Sequence, residues 1–247
     1  MWNTDLRAGA GVEVGAVGQP GRNAMTPLAI AVLALLDERP MHPYEMYQVL
    51  MARREDLLVK VRPGSLYHVV ARLAADELVR AEGTEREGNR PERTTYRITD
   101  IGRDTLRGRI TDLLRTPVQE FPIFRVALAE AHTLPSERVV TLLRERAGHL
   151  GEALADVDAM IGWARAHDTP RRYWFVLEYI QATIQAELTW IEGFAADLDG
   201  GLVEWEKFDP ETGERRTDDA VSPHEWPPGD HPDAAPRPRW AAGAARD

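Results

Sequence analysis

Three times within about 50 residues the chain sets a proline at the start of an apolar stripe with helical spacing, which confines this stretch to a bundle of short helices. Thr26-Pro27 supplies a cap and a first-turn proline, and Leu28, Val32, Leu35 and Leu36 follow until Asp37-Glu38-Arg39-Pro40 stops the run. His42-Pro43 repeats the signal, with Tyr44, Tyr47, Leu50 and Met51 expected on the buried face of a second helix that ends near Arg54. Pro63-Gly64-Ser65 opens a third, with Leu66, Val69, Val70 and Leu73 on one face and Ser65, His68 and Arg72 off it. A first-turn proline loses nothing in each case, because the N–H it lacks has no partner inside a helix.

The period then changes. Leu78-Val79-Arg80-Ala81-Glu82 can alternate as a strand, Gly83 to Glu92 is a polar loop, and Thr94-Thr95-Tyr96-Arg97-Ile98 is a second, β-branched and aromatic strand. Helix, helix, helix, hairpin is the order of a winged helix-turn-helix. Thr99 caps a fourth helix through Leu106, Ile110, Leu113 and Leu114, which ends before Pro117.

Beyond Pro117 nothing reads as a strand. A short helix around Pro122–Ala131 precedes a span from Pro135 to His167, in which Val140, Leu143, Ala147, Leu150, Leu154, Val157, Ile161 and Ala164 recur at alternating spacings of 3 and 4. After Asp168-Thr169-Pro170 a second long helix carries Tyr173, Leu177, Ile180, Ile184, Leu188, Ile191, Ala195 and Leu198. Two such stripes are not easily covered within one helical hairpin that has no third long partner, so a second subunit is the expected cover. The expected fold is mainly α with a small β-hairpin wing: a winged helix-turn-helix plus long antiparallel C-terminal helices forming a dimer interface.

The boundaries follow from composition. Residues 1–24 hold five scattered glycines and little periodicity, and are expected to be a disordered extension. Residues 25–116 form the winged domain and 117–199 a helical dimerisation and effector domain; 200–247, with seven prolines among scattered acids, is expected to be a disordered acidic tail. The absence of cysteine excludes disulfides, thiolate nucleophiles and Cys-based zinc sites. No stretch reaches the ~18 apolar residues of a membrane span, and no secretory signal pattern opens the chain, so a cytoplasmic protein is expected.

A formal charge of −10 argues against nucleic acid as a partner. Segment by segment that changes: residues 25–110 carry +1, whereas 111–200 carry −6 and 201–247 carry −5. In a helix-turn-helix the third helix enters the major groove, whose width matches one α-helix. The expected base readers are therefore Ser65 and His68 with Tyr67 beside them, next to Gly64 at the helix start. Arg72 further along, and Lys60 and Arg62 at the helix entrance, are placed for phosphates. The wing loop adds Arg86, Arg90 and Arg93 for the backbone or minor groove. Those arginines alternate with Glu82, Glu85, Glu87 and Glu92, so a self-paired, solvated loop is the competing reading.

These residues resemble the PadR-type transcriptional regulators. The match runs through Leu33-Ala34-Leu35-Leu36, Met41-His42-Pro43-Tyr44-Glu45, Pro63-Gly64-Ser65-Leu66-Tyr67-His68, Leu73, Leu78-Val79 and Arg93-Thr94-Thr95-Tyr96-Arg97-Ile98-Thr99-Asp100-Ile101-Gly102. It covers about residues 26–110. Many members have glycine where this chain has Pro43, a residue acceptable in a first turn. The resemblance implies a homodimeric winged-helix regulator, usually a repressor, binding double-stranded DNA at a roughly palindromic operator, with C-terminal helices that dimerise and can frame an effector pocket. The alternative is a winged-helix module that binds protein without reading DNA.

Trp163, Trp174, Tyr179 and Trp190 lie among the aromatics of the two long helices; they predict either an aromatic-lined pocket at the dimer interface for a small planar effector or plain interface packing. The seven histidines show no metal-ligand spacing, and no nucleophile elbow or phosphate loop is present, so neither a metal, a cofactor nor an enzymatic activity is expected.

Overall fold

The computed structural model describes residues 25–85, 93–209 and 211–216. It divides into two compact units, one ending at Val118 and the other beginning at Gln119. The expected extension at residues 1–24 lies outside the described residues.

The first unit contains α1 (Pro27–Glu38), α2 (Pro43–Ala52), α3 (Pro63–Ala75), β1 (Val79–Glu85), β2 (Arg93–Ile98) and α4 (Asp100–Arg115). Each of α1, α2 and α3 begins on its proline, and Thr26 caps α1 by accepting from the Ala29 N–H at 3.3 Å. The core joins Val32, Leu33 and Leu36 of α1 to Met46 and Leu50 of α2 and to Leu66, Val70 and Leu73 of α3. Val79, Ile98 and Leu106 close it from the hairpin and α4. Each such buried side chain contributes ~1.5–3 kcal/mol over its exposed state.

The buried face of α2 differs from the one its spacing predicts. Met46 is fully buried, whereas Tyr44 is 49% exposed and stacks on Tyr47 with ring centroids 6.5 Å apart. Two residues correspond to roughly 200° around a helix, so burying Met46 turns Tyr44 outward.

The hairpin is antiparallel, with Val79 opposite Ile98 and Arg80 opposite Arg97. A bulge between Ala81 and Gly83 leaves Glu82 without a cross-strand partner, and its carboxylate instead pairs with Arg97. On its other edge β2 exchanges two hydrogen bonds with an isolated residue: Met41 N–H to Tyr96 O at 3.1 Å and Tyr96 N–H to Met41 O at 3.0 Å. Thr99 caps α4, accepting from Gly102 N–H at 3.0 Å while its hydroxyl donates to Glu77 O at 2.8 Å.

The second unit contains α5 (Ile123–Ala129), α6 (Ser136–Ala166), α7 (Phe175–Asp199), β3 (Lys207–Phe208) and β4 (Arg215–Arg216). Helices α6 and α7 run antiparallel. Val139, Val140 and Leu143 pack with Ile191, Ala195 and Leu198 at one end, and Val157, Ile161 and Ala164 with Trp174 and Leu177 at the other. Between these ends Leu150, Leu154, Ile184 and Leu188 are only half-buried. Tyr173, expected on the buried stripe, is 70% exposed in a 3-10 turn; its neighbour Trp174 is buried there, and its Nε1 donates to Thr169 O at 2.9 Å. No helix among the described residues is long and apolar enough to cross a membrane.

Order also persists past Gly200, where a structureless tail is expected. Val203 and Trp205 pack against the α6–α7 core, and Trp205 Nε1 donates to Leu134 O at 2.8 Å. A β3–β4 hairpin follows, its turn held by Asp209 Oδ1, which accepts from Thr212 N–H at 3.0 Å and Glu211 N–H at 2.9 Å. These two bonds keep the Asp209 carboxyl below its ordinary range. The remainder of the tail, from residue 217, lies outside the described residues.

Candidate nucleic-acid interface

Helix α3 divides into two faces. Leu66, Val70 and Leu73 are buried, while Gly64, Ser65, Tyr67, His68, Ala71 and Arg72 are exposed on the opposite side. The exposed side chains are polar or small, the composition that a helix face needs to approach base edges. Gly64 has open space around it, and no acidic residue stands in the first turn. Pro63 supplies no N–H, but no side chain caps the helix, so the remaining first-turn N–H groups keep the positive end of its dipole uncapped.

The surrounding cations separate into two groups. Arg39 pairs with Glu45, Arg53 with Glu38, Arg97 with Glu82, and Arg103 with Asp37 and Asp100. The hydrogen bond from Arg53 holds the Glu38 carboxyl below its ordinary range. Lys60, Arg62 and Arg72 are exposed and form no ion pair with a described residue. Lys60 and Arg62 precede α3 and Arg72 lies on its exposed face, a placement open to external anions such as phosphates. Arg72 also stands in the last turn of α3, where a cation complements the helix dipole.

Of the wing residues, Arg86 and Arg90 lie outside the described residues; Arg93 begins β2, and the position of its side chain is not described. The described part of the wing contributes a further cation, Arg80, exposed on β1 and without an ion pair among the described residues. Strand alternation around Val79 could have found it, since a buried residue at 79 turns its neighbour outward.

Residues 32–108 match the model of the Transcriptional regulator PadR-like family. Over this stretch the chain is similar to the PadR-like family. The fold agrees with solved structures. The crystal structure of Bacillus subtilis PadR in complex with operator DNA aligns at a TM-score of 0.59, with 17% identity over 70% of this chain and 97% of that one. The same B. subtilis protein in complex with p-coumaric acid aligns at 0.53, with 16% identity over 71% and 99%. The PadR-like regulator BC1756 from Bacillus cereus aligns at 0.50, with 16% identity over 70% and 99%. No curated protein matches the chain.

Of the four aromatics named for an effector pocket, Trp190 stands apart from Trp174 within one chain. Trp163 is 60% exposed and stacks on His167; Tyr179 is 71% exposed; Trp174 is buried. Trp190 stacks on Phe194 at 5.0 Å, and Phe194 in turn lies 6.3 Å from Trp205. Trp174 and Trp190 are separated by 16 residues of helix, roughly 24 Å at 1.5 Å per residue, too far for one small ligand to touch both.

Proposed function

We propose that this chain is a sequence-specific DNA-binding transcriptional repressor that acts as a homodimer. The observation that carries the reading is the polar outer face of α3, flanked by Lys60, Arg62 and Arg72 without carboxylate partners among the described residues. In this reading Ser65, Tyr67 and His68 meet base edges. Lys60 and Arg62 hold phosphates at the helix entrance, Arg72 holds one further along, and Arg86, Arg90 and Arg93 extend the grip through the wing. The B. subtilis relative bound to operator DNA supports the same use of the fold.

The half-buried seam of Leu150, Leu154, Ile184 and Leu188 supports dimerisation, because a second copy would cover it. A two-fold dimer presents two recognition helices about one helical turn, ~34 Å, apart, so the operator is roughly palindromic. The p-coumaric acid complex of the relative supports a small planar aromatic compound as the class that releases the repressor. Gel shift on the duplex upstream of the protein's own gene tests the reading. A shift that survives excess random duplex supports it, and none at low salt overturns it; in that case the winged fold serves as a protein-binding module.

A further inference from the structure

Tyr67 is 48% exposed on the second turn of α3, so core packing does not fix where its ring points. The ring that meets it belongs to His42, edge-on at a centroid separation of 6.2 Å and an interplanar angle of 75°. His42 is held on both sides. Its Nδ1 accepts from the Tyr44 N–H at 3.1 Å, the N-cap bond of α2, which fixes the imidazole plane. Its backbone runs between buried Pro43 and buried Met41, and Met41 is tied to Tyr96 of β2 by bonds in both directions.

These contacts form one short line from the wing to the recognition helix: Tyr96, Met41, His42, Tyr67. We infer that His42 is a positioning residue for DNA recognition, setting the direction of the Tyr67 ring relative to the wing strand. The inference rests on the reading that α3 contacts DNA. His42 itself is half-buried under the ring and capped into α2, so its contribution to sequence choice passes through Tyr67.

Asparagine and serine also accept the N-cap bond but carry no ring, so His42→Asn and His42→Ser separate the cap from the ring contact. The experiment first selects duplexes from a random library with the full wild-type chain. It then measures His42→Asn, His42→Ser, Tyr67→Ala and the double variant His42→Asn/Tyr67→Ala on the selected duplex and on a scrambled one, with thermal unfolding alongside. The expected result is a roughly three- to tenfold loss on the selected duplex for both His42 variants, with scrambled-duplex affinity and unfolding temperature near wild type. The double variant is expected to bind no more weakly than Tyr67→Ala alone. Wild-type affinity in the His42 variants, equal losses on both duplexes, or additive losses in the double variant overturn the inference. A wild-type chain that selects no sequence overturns the DNA reading together with it.

Discussion

Gly102, in the first turn of α4, lies against the backbone of Leu78 so closely that a Cβ at this position would overlap the Leu78 carbonyl oxygen; it would also come within 3.0 Å of Ile98 Cγ1. That same carbonyl accepts from Thr99 N–H at 3.0 Å and from Thr99 Oγ1 at 3.1 Å. The close approach seats α4 against Leu78, just before β1, and against Ile98 at the end of β2. Gly102→Ala is expected to destabilise the full chain by about 1–3 kcal/mol, read as a lower urea midpoint at unchanged slope. A midpoint equal to wild type would show that α4 moves away without cost.

Glu55 opens the 3-10 turn between α2 and α3, and burial pushes its carboxyl above the ordinary value of 4.5; the nearby Arg53 offsets this and Glu38 adds to it. A raised pKa means that the folded chain holds this proton more tightly than the unfolded chain. Glu55 therefore lowers stability as pH rises from about 4.5 through its folded value. Glu55→Gln is expected to be more stable than wild type at neutral pH, with the gap closing as the pH falls below the unfolded value. Urea unfolding at several pH values checks it, and a gap that widens in acid would contradict the assignment.

Trp205 ties the chain after α7 back to the loop before α6 through Leu134 O and to Phe194 through its ring. Trp205→Ala is expected to cost about 1–3 kcal/mol in the helical unit. A stable Trp205→Ala variant would mean that this strap contributes nothing to the α6–α7 core.

The parts legible in the sequence were those with a local physical cause. Thr26-Pro27 and Thr99 marked helix starts because a cap and its following stripe lie within one or two turns. Helix α2 was legible as a helix but not in its buried face. Tyr44, Met46, Tyr47, Val49, Leu50 and Met51 surround ten residues almost evenly, so packing against α1 and α3 selects Met46. The Met41–Tyr96 bridge involves a single residue and leaves no periodic trace. Of Leu202-Val203-Glu204-Trp205-Glu206 only Val203 and Trp205 pack against the core while Leu202 is 78% exposed, and so short a stretch shows no pattern. In the candidate interface, α3 was readable from its own stripe. The spacing of the effector-pocket aromatics within one chain was not, because abundance in sequence says nothing of the helical rise that separates Trp174 from Trp190.

Lys60 and Arg62 stand at the entrance to α3 without carboxylate partners among the described residues. Replacing either by alanine is expected to weaken binding to selected and scrambled duplexes alike, and to lower the slope of log affinity against log salt by about 1. Fluorescence anisotropy between ~50 and ~200 mM salt checks this. A loss confined to the selected duplex would instead make that residue a base reader.

Whether the outer face of α3 reads sequence is decided at His68, exposed one turn from Ser65. The measurement is the ratio of affinities for the selected and scrambled duplexes, wild type against His68→Ala, at one fixed salt concentration. The ratio is expected to fall by the equivalent of about 1–3 kcal/mol through the selected duplex alone. An unchanged ratio, with both affinities intact or both reduced equally, would contradict it.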